Sequence, residues 1–301
     1  MAGATGYLGR RLVAALKARG YWVRALVRRA EQGAELPEAD DVFVGQVTRA
    51  GTLRGLADGI DVMYSTIGIT RQREGFTYDQ VDWGGNRALL DEAERAGVER
   101  FVYVSVLHGR RLRRVRLVAA KERFVDALVA SPVAHTVIRP TGYFSDMGAF
   151  VQMASRGRAY LVGDGRLKMN PIAGEDLAAF CVDAAERGLA DADVGGPDVY
   201  SHDEIAALAF RAVGAPARIA HIPRWLAGGA VAALRLVTPV SVYGPLEFFY
   251  AVMTTEMVAP RRGAHRLGEF FAKEVARGAR DAGRGARGAL GLGTRESGLG
   301  K

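Results

Sequence analysis

Gly3-Ala4-Thr5-Gly6-Tyr7-Leu8-Gly9 is the stretch that decides the fold. A helix-like run at residues 10–19 follows, with Leu12, Val13, Ala15 and Leu16 on its apolar side. A strand-like run at 21–27 comes next. In a dinucleotide-binding unit such glycines have separate tasks. One permits the tight turn, one lets backbone N–H groups approach a pyrophosphate, and one lets helix and strand pack closely. The helix N-terminus then turns the positive end of its dipole to the phosphates. A bare glycine triplet is weak; the βαβ-sized unit it opens gives it weight. Gly3, Thr5, Gly6, Tyr7, Leu8 and Gly9 are therefore the first cofactor-binding candidates. A plain strand–helix turn is the competing reading. Only Met1 and Ala2 precede the turn, whereas a central strand needs about five residues. The expectation is a first strand truncated upstream.

Outward from the turn, strands and helices alternate. Strand-like runs fall at 41–44, 61–67, 101–107 and 135–138, and helix-like runs at 52–57, 78–96 and 118–130. Alternation of this kind argues for an α/β fold with a parallel sheet covered on both faces. We expect a Rossmann-type doubly wound parallel sheet with a smaller, mainly helical C-terminal lobe. Residues 1–140 form the NAD(P)-binding domain. Residues 141–276 form a substrate lobe interleaved with the sheet, with helices at 176–187, 202–213 and 223–236. Residues 277–301 are rich in Gly, Arg and Ala without a hydrophobic period, and are expected to be a disordered basic tail.

The chain has 301 residues, 49% hydrophobic and 25% charged, which excludes wholesale disorder, collagen and coiled coil. One cysteine, Cys181, excludes a disulfide framework and a CxxC zinc site. The five histidines are scattered, so no metal site is expected. The net charge of +8 is local. Arg110, Arg111, Arg113, Arg114 and Arg116 crowd one loop, and the tail carries six basic against two acidic residues. The remainder is near neutral, so no nucleic-acid partner is expected. No signal peptide is seen, and a cytoplasmic location is the default. The most apolar stretch, 225–253, is interrupted by Arg235, Pro239, Pro245 and Glu247. It suggests a pair of buried helices and leaves peripheral membrane contact open.

The end of the second strand selects the cofactor. NAD readers place Asp or Glu there for the ribose 2′-OH. Here stand Arg28 and Arg29, whose guanidiniums suit a 2′-phosphate. NADP(H) is therefore expected over NAD(H), with a solvated arginine pair as the alternative.

Several segments carry a resemblance: the glycine turn, Leu26-Val27-Arg28-Arg29, Val81-Asp82-Trp83-Gly84-Gly85-Asn86, the run Arg100-Phe101-Val102-Tyr103-Val104-Ser105-Val106, and Ile138-Arg139-Pro140-Thr141-Gly142-Tyr143-Phe144. Over residues 1–275 the chain resembles the atypical short-chain dehydrogenase/reductases. It is similar to their NmrA-like, divinyl-chlorophyllide-reductase-like and complex I accessory-subunit-like branch. The resemblance implies a Tyr-x-x-x-Lys pair, in which Lys lowers the Tyr pKa and holds the ribose hydroxyls. Lys121 fits the lysine, but Leu117 stands at the tyrosine position. Lys121 is then the candidate catalytic residue, holding the nicotinamide ribose and supplying the acid, or else an exposed helix lysine. The resemblance also implies that Ser65, Thr66 and Ser105 line the cofactor, and that Asn86 bonds backbone at a helix irregularity. A polar strand cap is the alternative for the first two. Thr141, Tyr143 and Asp146 follow a strand at the carboxyl edge, where open α/β sheets hold ligands. Tyr143 and Asp146 are the tentative substrate contacts, with a packing tyrosine as the alternative. His108 is either an acid/base or a surface loop residue. The apolar lobe, with Trp225, Tyr243, Phe248, Phe249 and Tyr250, either walls a substrate pocket or is lobe core. Together these imply an NADPH-dependent oxidoreductase on a small apolar carbonyl or enone-like substrate. The alternative is a non-catalytic NAD(P)-binding redox sensor or scaffold. Oligomeric state is not legible.

Overall fold

The computed structural model describes residues 1–69 and 75–290, and the side chains of all of these but 281–290. In chain order the elements are α1 (Tyr7–Ala18), β1 (Arg24–Val27), β2 (Asp41–Val44), β3 (Val62–Ser65), α2 (Asn86–Ala96), β4 (Arg100–Val104), α3 (Arg116–Ala130) and β5 (Ala134–Pro140). They continue with α4 (Phe144–Ser155), β6 (Ala159–Val162), β7 (Lys168–Met169), α5 (Gly174–Glu186), β8 (Asp191–Val194), β9 (Tyr200–Ser201) and α6 (His202–Ala212). The last are β10 (Ile219–Ile222), α7 (Arg224–Val237), α8 (Val240–Met253) and α9 (Leu267–Leu290).

The main sheet is parallel throughout, as the α/β alternation requires. β1 pairs with β2, and β3-β4-β5-β8 form the other half. Ala2 joins the halves by parallel bridges to Leu26 and Ser65. Leu26 donates its N–H to Met1 O at 2.9 Å, and Thr66 to Ala2 O at 3.1 Å. Met1 and Ala2 thus lie between β1 and β3 at the carboxyl edge of the sheet. Below them, at the amino end, β1 and β3 flank a cleft of about 560 Å³ beside Tyr21, Trp22 and Tyr64. Chain order reverses at Ala2, which is the crevice where open α/β sheets hold ligands.

Strand residues alternate between faces. Val102 and Val104 of β4 join Leu12 and Leu16 of α1 and Leu177 and Cys181 of α5. Phe101 and Tyr103 meet Leu89 and Leu90 of α2 and Phe124 and Leu128 of α3. α5 and β8 lie beyond residue 140 yet complete the first layer and the sheet edge, so the second half of the chain is interleaved with the first. The lobe has its own core, where Phe144 and Phe150 of α4 pack with Ile205 and Phe210 of α6 and Phe271 of α9.

Two expectations are corrected. Residues 277–290, read as the start of a disordered tail, continue α9. Alanine and arginine propagate a helix readily once its first turns are anchored, here by buried Leu267 and Phe271. Residues 291–301 lie outside the described residues. The apolar stretch 225–253 is a helical pair, but α7 has no buried residue. Trp225 and Phe249 are exposed and Tyr243 is buried, so the aromatics neither form one core nor wall one pocket. Among the described residues no helix is long and apolar enough to cross a membrane.

Candidate active site

The glycine turn, the loop after β3 and the middle of α3 meet at the carboxyl edge. Gly3 has a φ of +81°, and a Cβ there would stand 2.5 Å from Thr66 Oγ1. Gly9 lies deeper: its Cβ would stand 1.9 Å from the Gly3 carbonyl oxygen. Gly6 caps α1 without a side-chain bond, and the first turn has no acidic residue. The N–H groups of that turn are therefore open to an anion, and the helix dipole adds positive potential. This is a cradle that any larger residue would fill, and it fits a pyrophosphate. Leu8 itself points into the core, so only its backbone serves the turn. Arg10 Nε donates to Thr5 O at 3.0 Å and braces the loop.

Arg28 and Arg29 are exposed just past the end of β1. Gln32 Oε1 accepts both their backbone N–H groups, at 3.0 and 3.1 Å, and so fixes the turn.

Lys121 lies on the side of α3 facing the loop after β3. Its Nζ is 3.1 Å from Oδ1 of Asp82, which is wholly buried. Asp82 Oδ2 accepts the Ile69 N–H at 3.2 Å. The exposed Gly68 covers the pair: a Cβ there would stand 2.6 Å from Nζ and 2.7 Å from Oδ1. Burial pushes the Asp82 carboxyl up, against the pull of Lys121. Burial also opposes the Lys121 charge, but the Tyr103 phenol and Asp82 outweigh it and hold its pKa above the ordinary lysine value. Lys121 is therefore an ammonium at neutral pH. The Tyr103 ring centroid is 5.5 Å from Nζ, and burial pushes its hydroxyl up to about 12. Asp82, Gly68 and Tyr103 were not singled out from sequence. Asp82 and Tyr103 stood in motif segments, where an acid or phenol amid apolar residues was the available signal.

Asp82 reaches Lys121 because residues Asp79–Gly85 are π-helical. The wide turn leaves carbonyls unpaired, and Asn86 Nδ2 donates to Asp82 O at 2.9 Å. Asn86 Oδ1 accepts the Ser65 hydroxyl at 2.5 Å. Ser65 is thus wholly buried and bonded into the fold, whereas Thr66 stands beside Gly3. Ser105 is likewise committed: its hydroxyl donates to Glu122 Oε1 at 2.7 Å. Glu122 in turn holds Arg139 Nη1 at 2.6 Å, and Arg139 Nε holds Asp191 at 2.9 Å. Removing one partner of a buried pair leaves an uncompensated charge, so Arg139→Met should cost about 3–5 kcal/mol in denaturant unfolding. Adding Glu122→Gln should recover most of that loss, and equal stability of the wild type and the single variant would refute the reading.

Tyr143 precedes α4 and stacks on Tyr7 with centroids 5.9 Å apart. Burial raises its pKa against the nearby Lys121 charge, so it keeps its proton at neutral pH. Tyr7 accepts the Gly174 N–H at 3.2 Å, and Arg11 lies 4.0 Å over its ring. Asp146 accepts the Tyr143 N–H at 3.3 Å and acts as a helix cap. Thr141 donates to Asn170 O at 2.6 Å and is buried. Leu117 is buried in the lobe core, one turn before Lys121. His108 bonds Glu256 O at 3.1 Å and ties its loop to the lobe. The structure therefore gathers the glycine turn, Thr66, Lys121, Tyr7 and Tyr143, and sets Ser65, Ser105 and Thr141 apart.

Fold and cradle define a nicotinamide-dinucleotide-binding α/β protein. The chain belongs to the NAD(P)H-binding family, which it matches over residues 3–187. It is 27% identical over 316 residues to divinyl chlorophyllide a 8-vinyl-reductase, chloroplastic, of Oryza sativa subsp. indica, covering 92% of this chain and 78% of that one. It is 28% identical over 231 residues to photosystem II assembly factor Ycf39 of Trieres chinensis, covering 74% and 72%. The fold is that of the NADPH-dependent quinone oxidoreductase QOR2 from Escherichia coli complexed with NADPH, with a TM-score of 0.68 and 17% identity, covering 84% and 87%.

Proposed function

We propose that this chain is an NADPH-dependent reductase acting on a small, largely apolar carbonyl or enone-like substrate. The observation that carries this reading is the buried Lys121–Asp82 pair under Gly68, beside an open glycine cradle. A structural ion pair has no need of a glycine held against it at an exposed edge. When bound, NADPH supplies a hydride. Gly3, Gly6 and Gly9 admit the pyrophosphate, and Thr66 borders it. Arg28 and Arg29 receive the 2′-phosphate. Lys121 donates to ribose hydroxyls and carries the proton, while Asp82 fixes its ammonium in place. Tyr143 keeps its proton and offers a hydroxyl to the substrate. The reductase named among the relatives supports the chemistry. The test is NADPH oxidation followed by absorbance across a panel of enones and ketones.

A second reading is a cofactor-binding protein without turnover, acting in assembly or sensing. It is favoured by buried Leu117 at the tyrosine position and by the likeness to an assembly factor. Tight NADPH binding with no oxidation across the panel decides for it.

Cofactor choice gives a separate expectation. Arg28→Ala combined with Arg29→Ala should weaken NADPH binding by about 10–100-fold, as charged hydrogen bonds to phosphate are lost. NADH binding should be nearly unchanged. Equal or tighter NADH binding by the wild type would refute the preference.

A further inference from the structure

An ordinary surface helix turns polar residues outward. α7 does the reverse. Trp225, Gly229, Ala232 and Leu236 form an exposed row at i, i+4, i+7 and i+11. Leu226, Ala230, Ala233 and Val237 form the row beside it, also apolar and mostly exposed. Trp225, Leu236 and Val237 are 77%, 88% and 79% exposed, so neighbouring chain covers almost none of them. α8 extends the surface with Val242, Leu246 and Phe249 at i, i+4 and i+7, each about half exposed. The two helices form a hairpin, in which Gly228 lets the Tyr250 ring approach α7. An exposed apolar surface of this size on a helical hairpin marks a site of attachment.

Charge says to what. From residue 205 to 246 there are four arginines and no acidic residue. Arg224 and Arg235 are exposed near the two ends of α7. The hairpin is also bolted to the arginine loop. Glu247 of α8 accepts the Arg116 backbone N–H at 2.9 Å and pairs with Arg235 at 3.4 Å. Arg111 and Arg114 are exposed in that loop, and Arg116, which opens α3, is exposed where its backbone meets Glu247. An apolar face with arginines at its border and no carboxylate on its exposed rows is the pattern of an interfacial helix on an anionic bilayer. A protein partner selected for specificity would call for acceptors and both signs of charge on the rim. Each helix has 14 residues, about 21 Å at 1.5 Å per residue, which suits lying in the interface rather than crossing it.

We propose that the α7–α8 hairpin, with the adjoining arginine loop, is a docking surface for an anionic lipid bilayer. The inference stands apart from the proposed catalysis, since none of these side chains belongs to the cofactor or proton machinery. Its test is vesicle flotation of the full chain. Vesicles holding about one-quarter phosphatidylglycerol in phosphatidylcholine should carry the wild type upward. Pure phosphatidylcholine, or added salt, should carry much less. Trp225→Ser with Leu236→Ser removes only exposed side chains and should lower the floated fraction about fivefold or more, with thermal stability and NADPH affinity unchanged. Three results would overturn the proposal. The first is wild type that stays unbound on the anionic vesicles. The second is equal flotation of wild type and double variant. The third is a dimer in solution that the double variant dissolves, without any lipid binding, which would make the hairpin a contact between copies.

Discussion

Lys121→Met should lose NADPH affinity by about 10–100-fold, the worth of one or two charge-assisted hydrogen bonds. It should also destabilise the fold by about 3–5 kcal/mol near neutral pH, because Asp82 stays buried without its partner. The two effects separate by pH and by a second substitution. Burial already raises the Asp82 pKa, and without Lys121 only the Ile69 N–H is left to oppose that rise. A carboxyl whose folded pKa lies above its unfolded value keeps its full stability below the unfolded pKa and loses it as pH rises through the folded one. The Lys121→Met chain should therefore grow more stable as pH falls toward the unfolded carboxylate range. Lys121→Met with Asp82→Asn should lose this pH dependence and regain most of the stability, yet still bind NADPH weakly. Denaturant unfolding against pH, beside titration with NADPH, checks both. A double variant with wild-type NADPH affinity would leave the pair a purely structural device.

The layers of the fold were legible because helices and strands alternate and burial follows their periods. The glycine turn was legible because its spacing states a backbone geometry directly. Residues whose role depends on distant partners were less accessible. Ser65 and Ser105 were placed at strand ends by period, but period gives a face and not what waits on it. Asn86 and Glu122 wait there, and they draw both hydroxyls inward. Asp82 was hidden because a seven-residue π turn shifts the helix face, so α-helical spacing does not align it with Lys121. The exposed rows of α7 misled for a different reason. A helix apolar all round ordinarily signals burial, and sequence carries no information on whether a partner surface lies within the same chain.

Gly9→Ala is the substitution on which local and tertiary physics disagree most. Within α1, alanine is favoured over glycine by about 1 kcal/mol, so helix propensity alone predicts a more stable chain. The tertiary setting forbids it. The new Cβ would stand 1.9 Å from the Gly3 carbonyl oxygen and 2.9 Å from Ala4 Cα, both backbone atoms with no rotamer to change. Either α1 must slide away from the turn or the turn must open. Overpacking of this kind costs about 1–3 kcal/mol, enough to cancel the propensity gain and leave overall stability modestly lowered. Binding should suffer far more than folding. On the proposed reading the cradle needs the first-turn N–H groups and the Gly3 loop to keep their spacing, and losing one or two hydrogen bonds to a charged phosphate costs about 10–100-fold in affinity. Titration of the variant should show NADPH affinity reduced to that degree, while circular dichroism shows the helix content retained. The effect should not depend on Lys121, because the proposed reading gives the two sites different parts of the cofactor. Affinity losses of Gly9→Ala and Lys121→Met should therefore add in free energy in the double variant. Wild-type affinity in Gly9→Ala would mean that the turn does not hold the pyrophosphate.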